Sequence, residues 1–247
     1  RGTGPLGAFG KGGFRMRTLG WAIALLMAGG PALAQFEPEG AHVYLYFPQF
    51  ADGGREGGWQ ATFTFIHARI SSAPAQVVLE LFDDNGRPLA LDFGGGRVSS
   101  LNLTVPASGI QRVRSRMTSA ETVTGWARAR ASLPVQGTVA FRQFFSGRPV
   151  VELTAHSTLP TLRYLSPANP QLGIALANPY ADTWRTVALE LREASGNLVG
   201  TRSVSLPPLG HQAFSLGSMF PGLPTEFQRD RSPCVRIGIG QGHTCPN

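Results

Sequence analysis

Apolar and polar residues alternate at a period of two along most of this chain. Residues 62–67 (TFTFIH) set Thr against Phe, and Leu101-Asn102-Leu103-Thr104-Val105 alternates until Pro106 stops it. Residues 76–82 (QVVLELF) run into Asp83-Asp84-Asn85-Gly86, and Asn-Gly marks a hairpin because both positions tolerate positive φ. Residues 137–145 (GTVAFRQFF) and 186–191 (TVALEL) continue the pattern. No stretch after Gln35 sustains apolar residues at i, i+3, i+4 and i+7, the signature of an amphipathic helix. Short strands separated by turn residues at intervals of about 8–12 predict an all-β chain built as a sandwich or barrel.

The pattern also recurs. Residues 78–86 (VLELFDDNG) align with 188–196 (ALELREASG) at a spacing of 110, and 103–109 (LTVPASG) with 204–210 (VSLPPLG) at 101. The longer Gly94-Gly95-Gly96 loop of the first copy absorbs the difference. Two tandem immunoglobulin-like β-sandwich domains are therefore expected, 42–158 and 159–227. The second copy should next supply an apolar, alternating strand like residues 123–131 beside a Gly-Trp pair. Residues 228–247 give Gln228-Arg229-Asp230-Arg231-Ser232-Pro233 and then Gly238, Gly240 and Gly242. This reads as an aberrant tail, of the kind a frameshift near Gln228 leaves, and as a truncated second sandwich. On that reading, a chain lacking residues from Gln228 onward should behave no worse.

The N-terminal region has a different pattern. From Met16, Arg17 supplies a positive charge, residues 19–28 (LGWAIALLMA) a short apolar core, Gly29-Gly30-Pro31 a break, and Ala32-Leu33-Ala34 the small residues of a cleavage site. Residues 16–34 are expected to be a signal peptide cut near Ala34, which would leave the mature chain secreted, periplasmic or at the cell surface. The apolar run falls short of the ~18 residues of a membrane anchor, and none is expected in the mature chain. Residues 1–15, rich in glycine, read as an upstream non-native extension.

Charge changes accordingly. Of the 22 basic residues four lie before Gln35, with no acidic residue there; 18 remain against 15 acidic ones, a net of +3 rather than +7. A nucleic-acid partner calls for a strong basic field, so none is expected.

Several stretches resemble a known group of proteins. They are Tyr46-Phe47-Pro48-Gln49-Phe50-Ala51-Asp52-Gly53-Gly54, Trp59, residues 82–89 (FDDNGRPL), Gly125-Trp126-Ala127 and Phe141-Arg142-Gln143. In the second copy they are residues 173–179 (GIALANP) and 206–211 (LPPLGH). Together they resemble the repeated β-sandwich modules of secreted proteins from Acidobacteria and related soil bacteria, over residues 42–227. The resemblance implies extracellular building blocks, often joined to other domains, with no assigned catalytic activity.

Candidate chemistry is sparse. His42, His67, His156, His211 and His243 come without a nucleophile elbow, a zinc-protease helix or paired carboxylates, so no catalytic residue and no enzyme is expected. The Asp83–Gly86 acidic turn lacks the ligand spacing of a calcium loop, and Cys234, Cys245 and His243 lack a fourth zinc ligand; no metal or cofactor is expected. One surface stands out. Arg112, Arg114 and Arg116 share a parity, as do Trp126, Arg128 and Arg130, so each set lies on one face of its strand. If those strands pair, five Arg and a Trp form a glycan-binding platform using cation–π contacts. The plainer account is a solvated outer face, with Ala127, Ala129 and Ala131 turned to the core. Function is thus expected to be adhesion, spacing or surface structure, with carbohydrate binding as the alternative, and the partners an extracellular polysaccharide or protein.

Overall fold

A computed structural model describes residues 42–68, 70, 72–161, 163–168, 172–193, 195–222 and 234–238. The expected leader, the upstream extension and most of the expected aberrant tail lie outside them. The described residues are all-β, as the alternation predicts, with one four-residue helix among them, α1 (Leu216–Met219).

Eight strands make one curled antiparallel sheet: β1 (Val43–Gly53), β2 (Trp59–His67), β3 (Ala75–Phe82), β6 (Ser100–Val105), β7 (Ile110–Arg114), β8 (Thr122–Ala131), β9 (Val135–Phe145) and β10 (Arg148–His156). One half runs β1-β8-β3-β6; in the other, β2 lies between β7 and β9, and β10 follows β9. The halves join at a corner where Gly53 faces Trp59. Gly53 has φ +82, and a side chain there would meet Ser119 and the Glu121 carbonyl, so the corner requires glycine. A small ladder of β4 (Leu91–Asp92) and β5 (Arg97–Val98) fills the long loop.

Period-two alternation builds the core. Phe47 of β1, Phe63 and Phe65 of β2, Leu79 of β3, Ala129 of β8 and Phe141 of β9 all enter one buried cluster, so both halves of the sheet face inward on it. Phe47 meets Phe63 and Phe65 edge to face at 5.6 and 6.0 Å.

The second unit has its own core, with Leu172, Ile174, Leu189, Leu191 and Phe220 among its members. Its strands are β11 (Arg163–Pro167), β12 (Gly173–Ala177), β13 (Arg185–Arg192), β14 (Leu198–Leu206), β15 (His211–Ser215) and β16 (Cys234–Gly238), ordered β11-β16-β13-β14 with a separate β12-β15 pair. Five residues of the tail expected to depart from the repeat are thus an inner strand, and Ile237 is buried.

Candidate functional site

The six residues singled out by parity fall on two halves of the curled sheet. Arg112 and Arg114 are exposed on β7, opposite Thr64 and Thr62 of β2. Arg116 follows β7 and lies over Gly94. Trp126, Arg128 and Arg130 lie on β8, which pairs with β1 and β3. The two arginine rows are therefore not neighbours. On β8 the alternation holds: Ala127, Ala129 and Ala131 are buried in the core, and the other parity faces away.

Trp126 departs from a solvated face. It is fully buried although it points away from the core of its own sheet. Its ring stacks on Phe82 at 4.9 Å and lies nearly parallel to Tyr46 at 6.4 Å. Its indole N–H donates to the Leu209 carbonyl at 2.6 Å, and Leu209 belongs to the second unit. The Arg128 guanidinium pairs with Glu80 at 2.9 Å and sits 5.5 Å from the centre of the Phe82 ring. Arg130 is exposed, beside Tyr44 and Val78 in the register.

The Trp126 contact is part of a lock between the units. Asp83 uses its carboxylate to hold its own hairpin turn, accepting from the backbone N–H groups of Asn85 and Arg87 at 2.9 and 2.8 Å. Asp84 next to it reaches across, its Oδ1 lying 2.8 Å from His211 Nδ1, while its carbonyl accepts the His211 backbone N–H at 3.1 Å. The His211 ring is almost wholly buried. On the receiving side Asn178, also buried, donates its side-chain amide to the carbonyls of Thr183 and Pro207 at 2.7 and 2.8 Å. This amide ties the loop after β12 to the Pro207–Gly210 turn. Leu209 within that turn has φ +55, a conformation unusual for a residue with a side chain, and donates its N–H to the Tyr180 carbonyl at 2.9 Å.

The sequence marks a hairpin tip at Asn85-Gly86 and, at residues 204–210, a stretch shared by both copies. Nothing local says that they meet, since Asp84 and His211 are 127 positions apart. Among the described residues no group of three or more His, Cys, Asp or Glu is placed to hold a metal ion. His42 and His156 are exposed, His67 is buried at the end of β2, and His243 lies outside the described residues.

One buried carboxylate lies apart from the lock. Asp52 of β1 accepts the Ser115 hydroxyl, and Ser115 in turn accepts the Ala61 N–H at 2.9 Å, joining β1 and β2 to the segment after β7. Burial pushes the Asp52 carboxyl above its usual value of 3.8, against the opposing pull of Ser115, the Ala61 and Gly53 backbone and Arg97. An acid whose value is raised by folding binds its proton more tightly in the native state. Its stabilising effect is complete below the unfolded value and is lost as pH rises through the folded one. Replacing Asp52 by Asn should therefore flatten the fall in stability above about pH 4. Melting temperatures of both proteins across pH 3 to 7 check this, and parallel curves would contradict it.

No protein-family model matches the chain, and no curated protein matches it. A solved structure, described as a crystal structure of Thermotoga maritima 1070, aligns with 47% of this chain and 93% of its own at 10% identity and a TM-score of 0.31. A likeness at that level carries no argument about fold or activity.

Proposed function

We propose that the mature chain is a non-catalytic extracellular building block: two tandem immunoglobulin-like β-sandwiches held as one stiff unit for adhesion, spacing or surface structure. The observation that carries this reading is the lock. Trp126, Asp84 and His211, the side chains best suited to recognition or chemistry, are used to join one unit to the other. Inter-domain contacts are by default loose, and a buried tryptophan with a carboxylate–imidazole pair is a departure that favours a fixed geometry.

Matching registers support the tandem reading. Ala75 faces Val105 across β3 and β6, and Arg185 faces Leu206 across β13 and β14, in step with the spacings of 110 and 101. Glu80 faces Arg128 and Glu190 faces Arg236, so β16 stands where β8 stands in the first unit. The His67 N–H bond to the Gly109 carbonyl has its counterpart in Asn178 and Gly210. Ser108 and Leu209, equivalent turn positions, have φ +52 and +55. The resemblance to soil-bacterial secreted modules and the export signal lead to the same setting.

Gly86 gives the test. It has φ +79, and a methyl group there would run into the Pro208 carbonyl of the second unit, a backbone atom that no rotamer change can move. Gly86→Ala should open the lock while leaving both cores intact. The expected result is one rigid particle by small-angle scattering for the parent and a flexible two-body profile for the variant. A parent that already scatters as two loosely linked bodies would sink the stiff-spacer reading. Turnover by the purified mature chain in broad esterase, peptidase and glycosidase assays would sink the non-catalytic one.

A further inference from the structure

The lock carries an aromatic row to the surface. Tyr44 and Tyr46 on β1 have ring centroids 6.4 Å apart with planes within 17°, and Tyr46 continues at 6.4 Å and 21° to Trp126. Three side chains of similar tilt therefore run along the outer face of one sheet half. At the Trp126 end, Leu209 accepts the indole N–H and donates its own N–H to Tyr180, which brings Tyr180 alongside. Burial pushes the Tyr46 hydroxyl above its usual value of 10.0, against the opposing charge of Arg128 and with smaller upward contributions from Tyr44 and Tyr180.

The row is exposed where a ligand could use it and closed where it is structural. Tyr44 is 41% exposed and Tyr180 47%, whereas Trp126 is sealed. Trp184, in the same loop between β12 and β13 as Tyr180, is 64% exposed, the highest of the exposed aromatic residues described. Aromatic surface is thus left in contact with water both on the outer face of β1 and in the loop between β12 and β13.

Cations flank it. Arg185 lies over the Tyr180 ring at 4.3 Å, and its Nε is buried with no partner among the described atoms. Arg130 is exposed beside Tyr44 and takes part in none of the ion pairs formed among the described residues. Arg128 is already matched by Glu80. Arg130 and Arg185, one at each end of the aromatic row, thus form no ion pair among the described residues. Among the described residues of this strip, Arg128 is matched by Glu80, so its cations do not form the continuous track that follows a phosphate backbone.

We propose that this strip, from Tyr44 and Arg130 to Tyr180 and Arg185, binds an extended acidic polysaccharide. The apolar faces of sugar rings would lie on the tyrosines, and carboxylates spaced along the chain would meet the two arginines. The inference specifies the adhesion part of the reading above and moves the glycan contact from the Arg112–Arg116 row and Trp126 to the neighbouring tyrosines. It rests on that reading only for the setting, since stiffness is tested separately by Gly86→Ala.

Affinity electrophoresis of the mature chain in gels containing polygalacturonate, alginate or hyaluronate tests it, with a neutral glucan and single-stranded DNA as further arms. At least one acidic polysaccharide should retard the protein and the glucan should not. The Tyr44→Ala, Arg130→Ala double variant and the Tyr180→Ala variant should each weaken that retardation about tenfold, the scale expected for losing stacking and charge contacts. An Arg112→Ala, Arg114→Ala double variant should leave it unchanged, and circular dichroism melting should show all variants folded. No retardation by any of the three acidic polysaccharides overturns the proposal. So does equal weakening in the β7 control, or stronger retardation by single-stranded DNA than by any polysaccharide.

Discussion

A chain ending at Phe227 is expected to lose the second unit altogether. β16 is the inner strand between β11 and β13, so its removal breaks two ladders at once and takes Ile237 out of the core. Burying one such side chain is worth about 1.5–3 kcal/mol, and each lost ladder bond about 0.5–1.5 kcal/mol. Against a typical domain stability of roughly 5–15 kcal/mol, the sum is decisive. Two freshly exposed strand edges would also favour aggregation. The sequence alone suggests that the tail from Gln228 is dispensable, whereas the pairing of β16 predicts the opposite result for the shortened chain. Limited proteolysis and a calorimetric scan of the shortened chain would decide it: protection and enthalpy should persist for residues 42–158 only. An unchanged second unit would mean that the tail contributes nothing.

The second large effect belongs to Trp126→Ala. The substitution empties a fully buried site, removes the bond to Leu209 and leaves the ring stack with Phe82 unsupported. Truncating a buried aromatic residue costs about 3–5 kcal/mol. Part of that loss should appear as separation of the units, because Trp126 faces the second unit rather than its own core. Trp126→Phe keeps much of the packing but not the indole N–H, and it should recover most of the stability while leaving the Leu209 carbonyl without its donor. Chemical denaturation followed at both units would show this. A single, undiminished transition in the alanine variant would mean that the tryptophan is not what joins them.

The parts legible in the sequence were those that alternation and turn chemistry determine. The positions of β2, β3, β6, β8, β9 and β13, the Asn85-Gly86 turn, the stop at Pro106 and the inward row of Ala127, Ala129 and Ala131 follow from residue type and spacing. Neighbour relations do not. A period of two assigns a face to each residue but says nothing about which strand lies alongside, so Arg112 and Arg128 looked like candidates for one platform while β7 joined β2 and β8 joined β1 and β3. Tyr44, Tyr46 and Trp126 are amphipathic side chains, equally at home on a solvated face and under a second unit, and only packing tells these apart. β16 escaped notice for a different reason: five residues between glycines and a proline are too few to show a period.

The contact between the units joins unlike surfaces, a hairpin tip on one and a turn on the other. A head-to-tail contact of this kind leaves one tip and one turn unused and can in principle grow into an open-ended polymer. Here the unused ends carry the wrong chemistry. Where the lock has Asp84 and Trp126, the aligned positions of the second unit hold Ala194 and Cys234; where it has Leu209 and His211, those of the first hold Ser108 and Ile110. None of these four residue types can supply the carboxylate–imidazole pair or an indole. Head-to-tail growth through this same contact would need the four lock side chains repeated in both units, and the sequence carries them once.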